Sequence, residues 1–149
     1  MSNVDVDQFM REAINQGRKS FSEDGIPIGS VLVRDGQIVG RGHNRRVQHG
    51  DPTAHGEIDC LRNAGRQASY RDTVIYSTLM PCAMCAGAIV QFGIKKVIAG
   101  ENRTFSSSAD FMRSNGVEVI DLDNDECYEL LHDFRKKFPT VWDEDIGVD

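Results

Sequence analysis

Between residues 73 and 137, short apolar runs alternate with stretches whose apolar residues recur every three or four positions, a pattern few folds accommodate. A strand, a helix and a further strand in sequence imply a crossover that lays the helix on the sheet, with parallel pairing where the crossover closes. Strands are expected at 73–79, 96–99 and 117–122, and helices at 81–92, 108–114 and 123–137, the last carrying Cys127, Leu130, Leu131 and Phe134 on one side. Pro139 is expected to end that helix and leave a short acidic tail. Upstream, Phe9, Met10, Ala13, Ile14, Gly17 and Phe21 mark an amphipathic helix over 5–22. Strands at 26–33 and 37–42 follow, joined by the hairpin signal Asp35-Gly36, and then a helix over 52–65. The sum is an α/β fold, a three-layer α/β/α sandwich around a central five-stranded mixed sheet.

A chain of 149 residues can bury a core of its own, so residues 1–149 are expected to form a single domain. The net charge of −6 disfavours a long nucleic acid, which is held mainly by clustered Lys and Arg. The longest apolar runs fall far short of the roughly 20 residues that span a bilayer, so no membrane insertion is expected. The opening MSNVDVDQFMREAI carries no apolar signal segment. A reducing, cytoplasmic setting follows as the expectation, and there a C-x-x-C pair points to metal or redox chemistry more than to a structural bridge.

The chemistry lies in T-A-H-G-E at 53–57 and P-C-A-M-C at 81–85. One imidazole and two thiolates make three zinc ligands, His55, Cys82 and Cys85, and leave the fourth tetrahedral position open, as a catalytic zinc requires. Cys82 and Cys85 sit at i and i+3 at a helix start, where the dipole favours thiolates. His55 and Glu57 are two residues apart and share no helical face, so a common metal must lie off the helix end. A carboxylate there can take a proton from an activated water and return it to a substrate nitrogen. Alone, C-x-x-C is more often a redox pair or a structural zinc site, and H-x-E together with Pro81 shifts the reading to catalytic zinc. Cys60 and Cys127 fit apolar helix faces as core thiols, and His43, His49 and His132 are unclustered.

H-x-E followed by P-C-x-x-C resembles the signature of the zinc deaminases. The chain further resembles the fungal-type cytosine deaminases of the cytidine deaminase-like superfamily, through I-P-I-G at 26–29, G-R-G-H-N at 40–44, P-C-A-M-C-A-G-A-I at 81–89, G-E-N-x-x-F at 100–105 and W-D-E-D-I-G at 142–147. The resemblance implies hydrolysis of cytosine to uracil and ammonia by zinc-bound hydroxide, with Glu57 as proton shuttle and one zinc ion per chain. It implies that Asn44 and the Gly56 amide bind the ring carbonyl edge, that Asp145 accepts from the exocyclic amine, that Phe105 walls the ring, that Trp142 closes the pocket, and that the enzyme is a homodimer. By residue type alone, Asn44 also fits a turn or cap, Phe105 the core, Asp145 a solvated tail, and Trp142 either a core plug or a lid. Met80 and Ala83 depart from the serine and acidic residue typical of those enzymes, and Met80 is expected beside the pocket. Other readings are deamination of guanine, isocytosine, another aminated ring or a nucleoside, and a non-catalytic zinc-stabilised scaffold.

Overall fold

The computed structural model describes residues 6–104 and 108–147. Asp7 opens the first helix, its carboxylate accepting the amides of Phe9 (3.0 Å) and Met10 (2.8 Å), two of the donors a helix start leaves unpaired. This helix, α1 (Gln8–Ser22), buries Met10, Ala13 and Ile14 completely. Strands β1 (Gly29–Arg34) and β2 (Gln37–His43) follow as an antiparallel hairpin. Their turn places Asp35 (φ 51°) and Gly36 (φ 74°) in the left-handed region, the backbone for which Asp-Gly is suited. Residues 26–28, expected as strand, instead bend tightly around Pro27, with the Ile28 amide donating to the Ile26 carbonyl at 2.8 Å.

Three further strands, β3 (Thr73–Ser77), β4 (Lys96–Ala99) and β5 (Glu118–Asp121), complete one sheet in the order β2-β1-β3-β4-β5. β1 is antiparallel to both neighbours, whereas β3, β4 and β5 run parallel, so the sheet is mixed as the alternation implies. The period of two along each strand sorts side chains between two cores. Leu32, Ile75 and Val97 pack with residues of α3 (Gly56–Ala64), α4 (Ala83–Phe92) and α5 (Ala109–Ser114), among them Cys60, Ile89 and Met112. Val31, Val33 and Tyr76 pack on the other side with α1 and with Cys127 of α6 (Asp125–Lys137). Helices therefore cover both faces of the sheet, and the three-layer sandwich is present.

Several boundaries differ from the pattern for local reasons. The helix expected from residue 52 starts at Gly56, because the Asp51 carboxylate accepts from both the amide (2.9 Å) and the hydroxyl (2.8 Å) of Thr53 and holds a turn there. Pro81 does not begin α4; Cys82 is its N-cap. One helical turn, α2 (Arg46–His49), was too short for periodicity to show. Pro139 does not leave a tail. It occupies the first turn of α7 (Pro139–Asp145), where its missing N–H costs no hydrogen bond.

Two features fix α3 over the sheet. Gly42 lets β2 and α3 touch backbone to backbone, since a Cβ there would lie 2.2 Å from the Cys60 nitrogen. Asp59 of α3 accepts from the His43 amide and from Arg45 Nε, both at 3.0 Å. A third apolar cluster, of Ile26, Ile28, Leu79, Leu131, Phe134 and Trp142, packs α7 (Trp142) against α6 and the segments around Ile28 and Leu79.

Candidate active site

Two helix starts meet at one end of the sheet. His55 is the N-cap of α3 and Cys82 the N-cap of α4, both with extended backbone, and neither uses its side chain to cap its own helix. Those side chains turn to each other instead. His55 Nδ1 lies 3.4 Å from Cys82 Sγ and 3.7 Å from Cys85 Sγ. The three ligand atoms fall within 4.8 Å of one another, and no other group of three metal-ligating side chains does so among the described residues.

The electrostatics of this cluster favour a cation. A hydrogen bond from Cys85 pulls the Cys82 thiol down to about 4, aided by His55, while the same bond and burial hold Cys85 well above the usual thiol range. Burial alone would push the His55 imidazole down, yet the adjacent Asp145 carboxylate and Cys82 thiol, with the Glu57 charge, hold it up at about 10. Burial pushes the Glu57 carboxyl up to about 7, with the negative Cys82 adding to the effect. One nitrogen and two sulfur donors in a negative setting, with both helix starts supplying amides and dipoles, suit Zn²⁺, and three ligands leave a position for water. The residues present therefore fit zinc.

His55, Glu57 and Cys82 line a cavity of about 330 Å³. Its apolar wall is made by Ile28, Leu79, Met80, Trp142 and Ile146, with Ala83 and Met84 at the start of α4. Met80 is 1% exposed and Trp142 2%, so Trp142 is at once core and pocket wall. Asp145, with its side chain 4% exposed, also lines the cavity. Its Oδ1 lies 3.2 Å from His55 Nε2 and 3.3 Å from Arg46 Nε, both ion-pair contacts that lack hydrogen-bond alignment. His55 thus turns one ring nitrogen to the thiols and the other to a carboxylate.

Asn44 and Gly56 are buried but do not line this cavity. Asn44 is a capping residue, because its Oδ1 accepts from the Arg46 amide at 2.9 Å, yet its Nδ2 has no partner. Of four buried side-chain polar atoms without a hydrogen-bond partner among the described residues, two are Asn44 Nδ2 and Asp145 Oδ1. At Gly56 a Cβ would approach the Ile28 carbonyl to 2.9 Å, which keeps the first turn of α3 tight against the pocket wall. Phe105 lies outside the described residues. Cys60 and Cys127 are buried away from the cluster, and His43 is buried with its Nε2 3.0 Å from Glu23 Oε1. Arg46, Ile28 and Ile146 were not foreseen: they reach the site from distant segments, and no local spacing marks them.

An open three-ligand metal centre beside a buried carboxylate, at helix starts on a mixed sheet, is built for hydrolysis. Residues 4–101, which span both ligand helices' starts, match the cytidine and deoxycytidylate deaminase zinc-binding region, and the chain belongs to that family. It is 45% identical over 141 residues to a cytosine deaminase of Candida albicans, an alignment covering 93% of this chain and 94% of the relative. It is 41% identical over 130 residues to a tRNA-specific adenosine deaminase of Streptococcus pyogenes, covering 85% and 67% respectively. Among solved structures, one from studies of A-to-I editing by tRNA:A34 deaminases superposes with a TM-score of 0.71 at 32% identity, over 83% of this chain and 98% of the other. The sandwich is thus the cytidine deaminase-like fold.

Proposed function

We propose that this chain hydrolyses a free nucleobase, cytosine, to uracil and ammonia. The observation that carries the reading is a buried donor and a buried acceptor that lack hydrogen bonds: Asn44 Nδ2, and Asp145 Oδ1, which has only the ion-pair contacts with His55 and Arg46. A buried polar atom without a partner is costly, and a ligand of complementary chemistry removes the cost. Cytosine offers a ring carbonyl to accept from Asn44 and an exocyclic amine to donate to Asp145. The apolar walls from Ile28, Leu79, Met80 and Trp142 suit a planar ring. Similarity to a cytosine deaminase over nearly the full length of both chains supports the same substrate.

His55, Cys82 and Cys85 would hold zinc, which when bound lowers the pKa of water enough to make hydroxide available near neutral pH. Glu57 takes one proton of the attacking water and passes it to the ring nitrogen. It then takes the second from the hydroxyl left on the carbon and passes it to the leaving amine, so that the carbon keeps a carbonyl oxygen. Water adds at the amine-bearing carbon, the C–N bond breaks, and ammonia departs with its proton supplied through Glu57. Asn44 and the Gly56 amide hold the carbonyl edge while Asp145 orients the amine.

The four cysteines are unbridged, which fits a reducing, cytoplasmic setting. No helix among the described residues is long and apolar enough to cross a membrane. The acidic charge argues against a long nucleic acid as substrate, and we take residues 1–149 as one deaminase domain. A homodimer is the expected assembly, and the exposed Phe92 on α4 and Phe111 on α5 provide apolar surface for it.

Similarity to tRNA-specific adenosine deaminases gives one competing substrate. The test is ammonia release by the zinc-loaded protein from cytosine, isocytosine, guanine, cytidine, adenosine and a tRNA anticodon stem-loop. The expected result is a kcat/KM for cytosine at least about 100-fold above every other substrate, since unpaired polar groups in the site reject the wrong ring. Preference for another ring or for the stem-loop would overturn cytosine.

A further inference from the structure

Arg46 touches both Asn44 and Asp145, the two side chains assigned above to the polar edges of the substrate. Its backbone amide donates to Asn44 Oδ1 at 2.9 Å. An N–H needs an acceptor, so this bond fixes the amide orientation and leaves Nδ2 as the free end. The Arg46 side chain, 18% exposed, meets Asp145 Oδ1 through Nε at 3.3 Å and Glu144 Oε1 through Nη1. Both carboxylates belong to α7, and Glu144 is 98 residues from Arg46 in sequence.

A helix as short as α7 does not hold itself together in water, so its position depends on what it docks against. One anchor is Trp142 in the apolar cluster with Ile28, Leu79 and Phe134. Among the described residues, the ion pairs that join α7 to other parts of the chain are those of Arg46 with Glu144 and Asp145 and that of His55 with Asp145. Asp145 carries two tasks at once: it faces the cavity, and it sits 3.2 Å from the His55 nitrogen opposite the one that meets the thiols. A carboxylate on the far nitrogen of a ligand histidine fixes ring orientation and tautomer.

We propose that Arg46 is a positioning residue that latches α7 across the pocket and, through Asp145, sets both the amine-binding carboxylate and the orientation of the His55 ring. The planar guanidinium can meet two adjacent carboxylates at once, which a lysine ammonium does not do. The part concerning substrate rests on the role given to Asp145 above; the latch itself does not.

Trp142 is the chain's single tryptophan and lies in α7, so its fluorescence reports docking of this helix independently of activity. The experiment compares wild type, Arg46→Gln and Arg46→Lys for Trp142 emission, for zinc affinity by competition with a chromophoric chelator, and for kcat and KM with cytosine. Far-UV circular dichroism selects the folded variants. In Arg46→Gln the emission is expected to move to longer wavelength, zinc affinity to fall about 10- to 100-fold, and kcat/KM to fall about 100-fold with a loss in kcat as well as KM. Arg46→Lys, which keeps the charge and one contact, is expected to fall between the two and remains informative if Arg46→Gln fails to fold. Wild-type emission and wild-type zinc affinity in a folded Arg46 variant would overturn the latch. If Asp145→Asn retains full activity while Arg46→Gln still shifts the emission, the latch stands and the substrate role of Asp145 is what fails.

Discussion

Replacing Glu57 by glutamine is expected to leave zinc bound and to lower turnover of cytosine by about 100- to 10,000-fold, the range over which a positioned acid–base group contributes. Glu57 is not one of the three clustered ligand side chains, yet it lines the same cavity and is 4% exposed. A buried carboxyl raised to about 7 can both take and return a proton near neutral pH, which an ordinary surface glutamate does poorly. Glutamine keeps the shape and removes the proton exchange. Metal analysis and steady-state kinetics on the same preparation check the expectation. A Glu57→Gln enzyme that kept its zinc and its turnover would remove the proton shuttle from the account.

The second large effect concerns the metal ligands. Cys85→Ser is expected to lose zinc and all measurable activity, because a serine hydroxyl does not ionise to supply the anionic donor. Zinc also stabilises the fold it binds: at a free concentration about 1,000 times its dissociation constant the gain is about 4 kcal/mol. For a chain of this size that corresponds to a melting temperature higher by roughly 8–16 °C. Calorimetry of wild type with zinc and with a chelator, beside Cys85→Ser, measures it. Wild type with chelator and the variant with zinc should melt close together, both well below the zinc-loaded protein. Equal melting with and without chelator would mean that the His55, Cys82 and Cys85 cluster takes no part in holding the two helix starts together.

How far the sequence carried can be judged from particular residues. The metal ligands were legible because their chemistry is local: Cys82 and Cys85 are one helical turn apart, and the two-residue step from His55 to Glu57 places the metal off a helix end, where the structure puts the cluster. The sheet was legible because its buried strands read as short apolar runs, and β4 spans the expected residues from end to end. The start of α3 was misplaced because Asp51 competes for the Thr53 groups, a side-chain effect that apolar periodicity does not register. α7 was read as a tail because a proline can stop one helix and start the next, and PTVWDED is too short to show a periodic face. That misreading hid Arg46, whose partners Glu144 and Asp145 are paired with it only by the fold. The structural readings of Asn44 as a cap and Trp142 as a core plug are both present and leave room for the roles proposed above. Asn44 caps a turn with its oxygen and keeps its nitrogen free, and Trp142 fills the core with a ring that also walls the cavity.

The most direct test of hydrolytic deamination is to incubate the zinc-loaded protein with cytosine in ¹⁸O-enriched water and to measure uracil and ammonia together. The account predicts equimolar products, with one ¹⁸O from solvent in each uracil at the carbon that bore the amine. Unchanged cytosine, or uracil carrying no solvent oxygen, would contradict it.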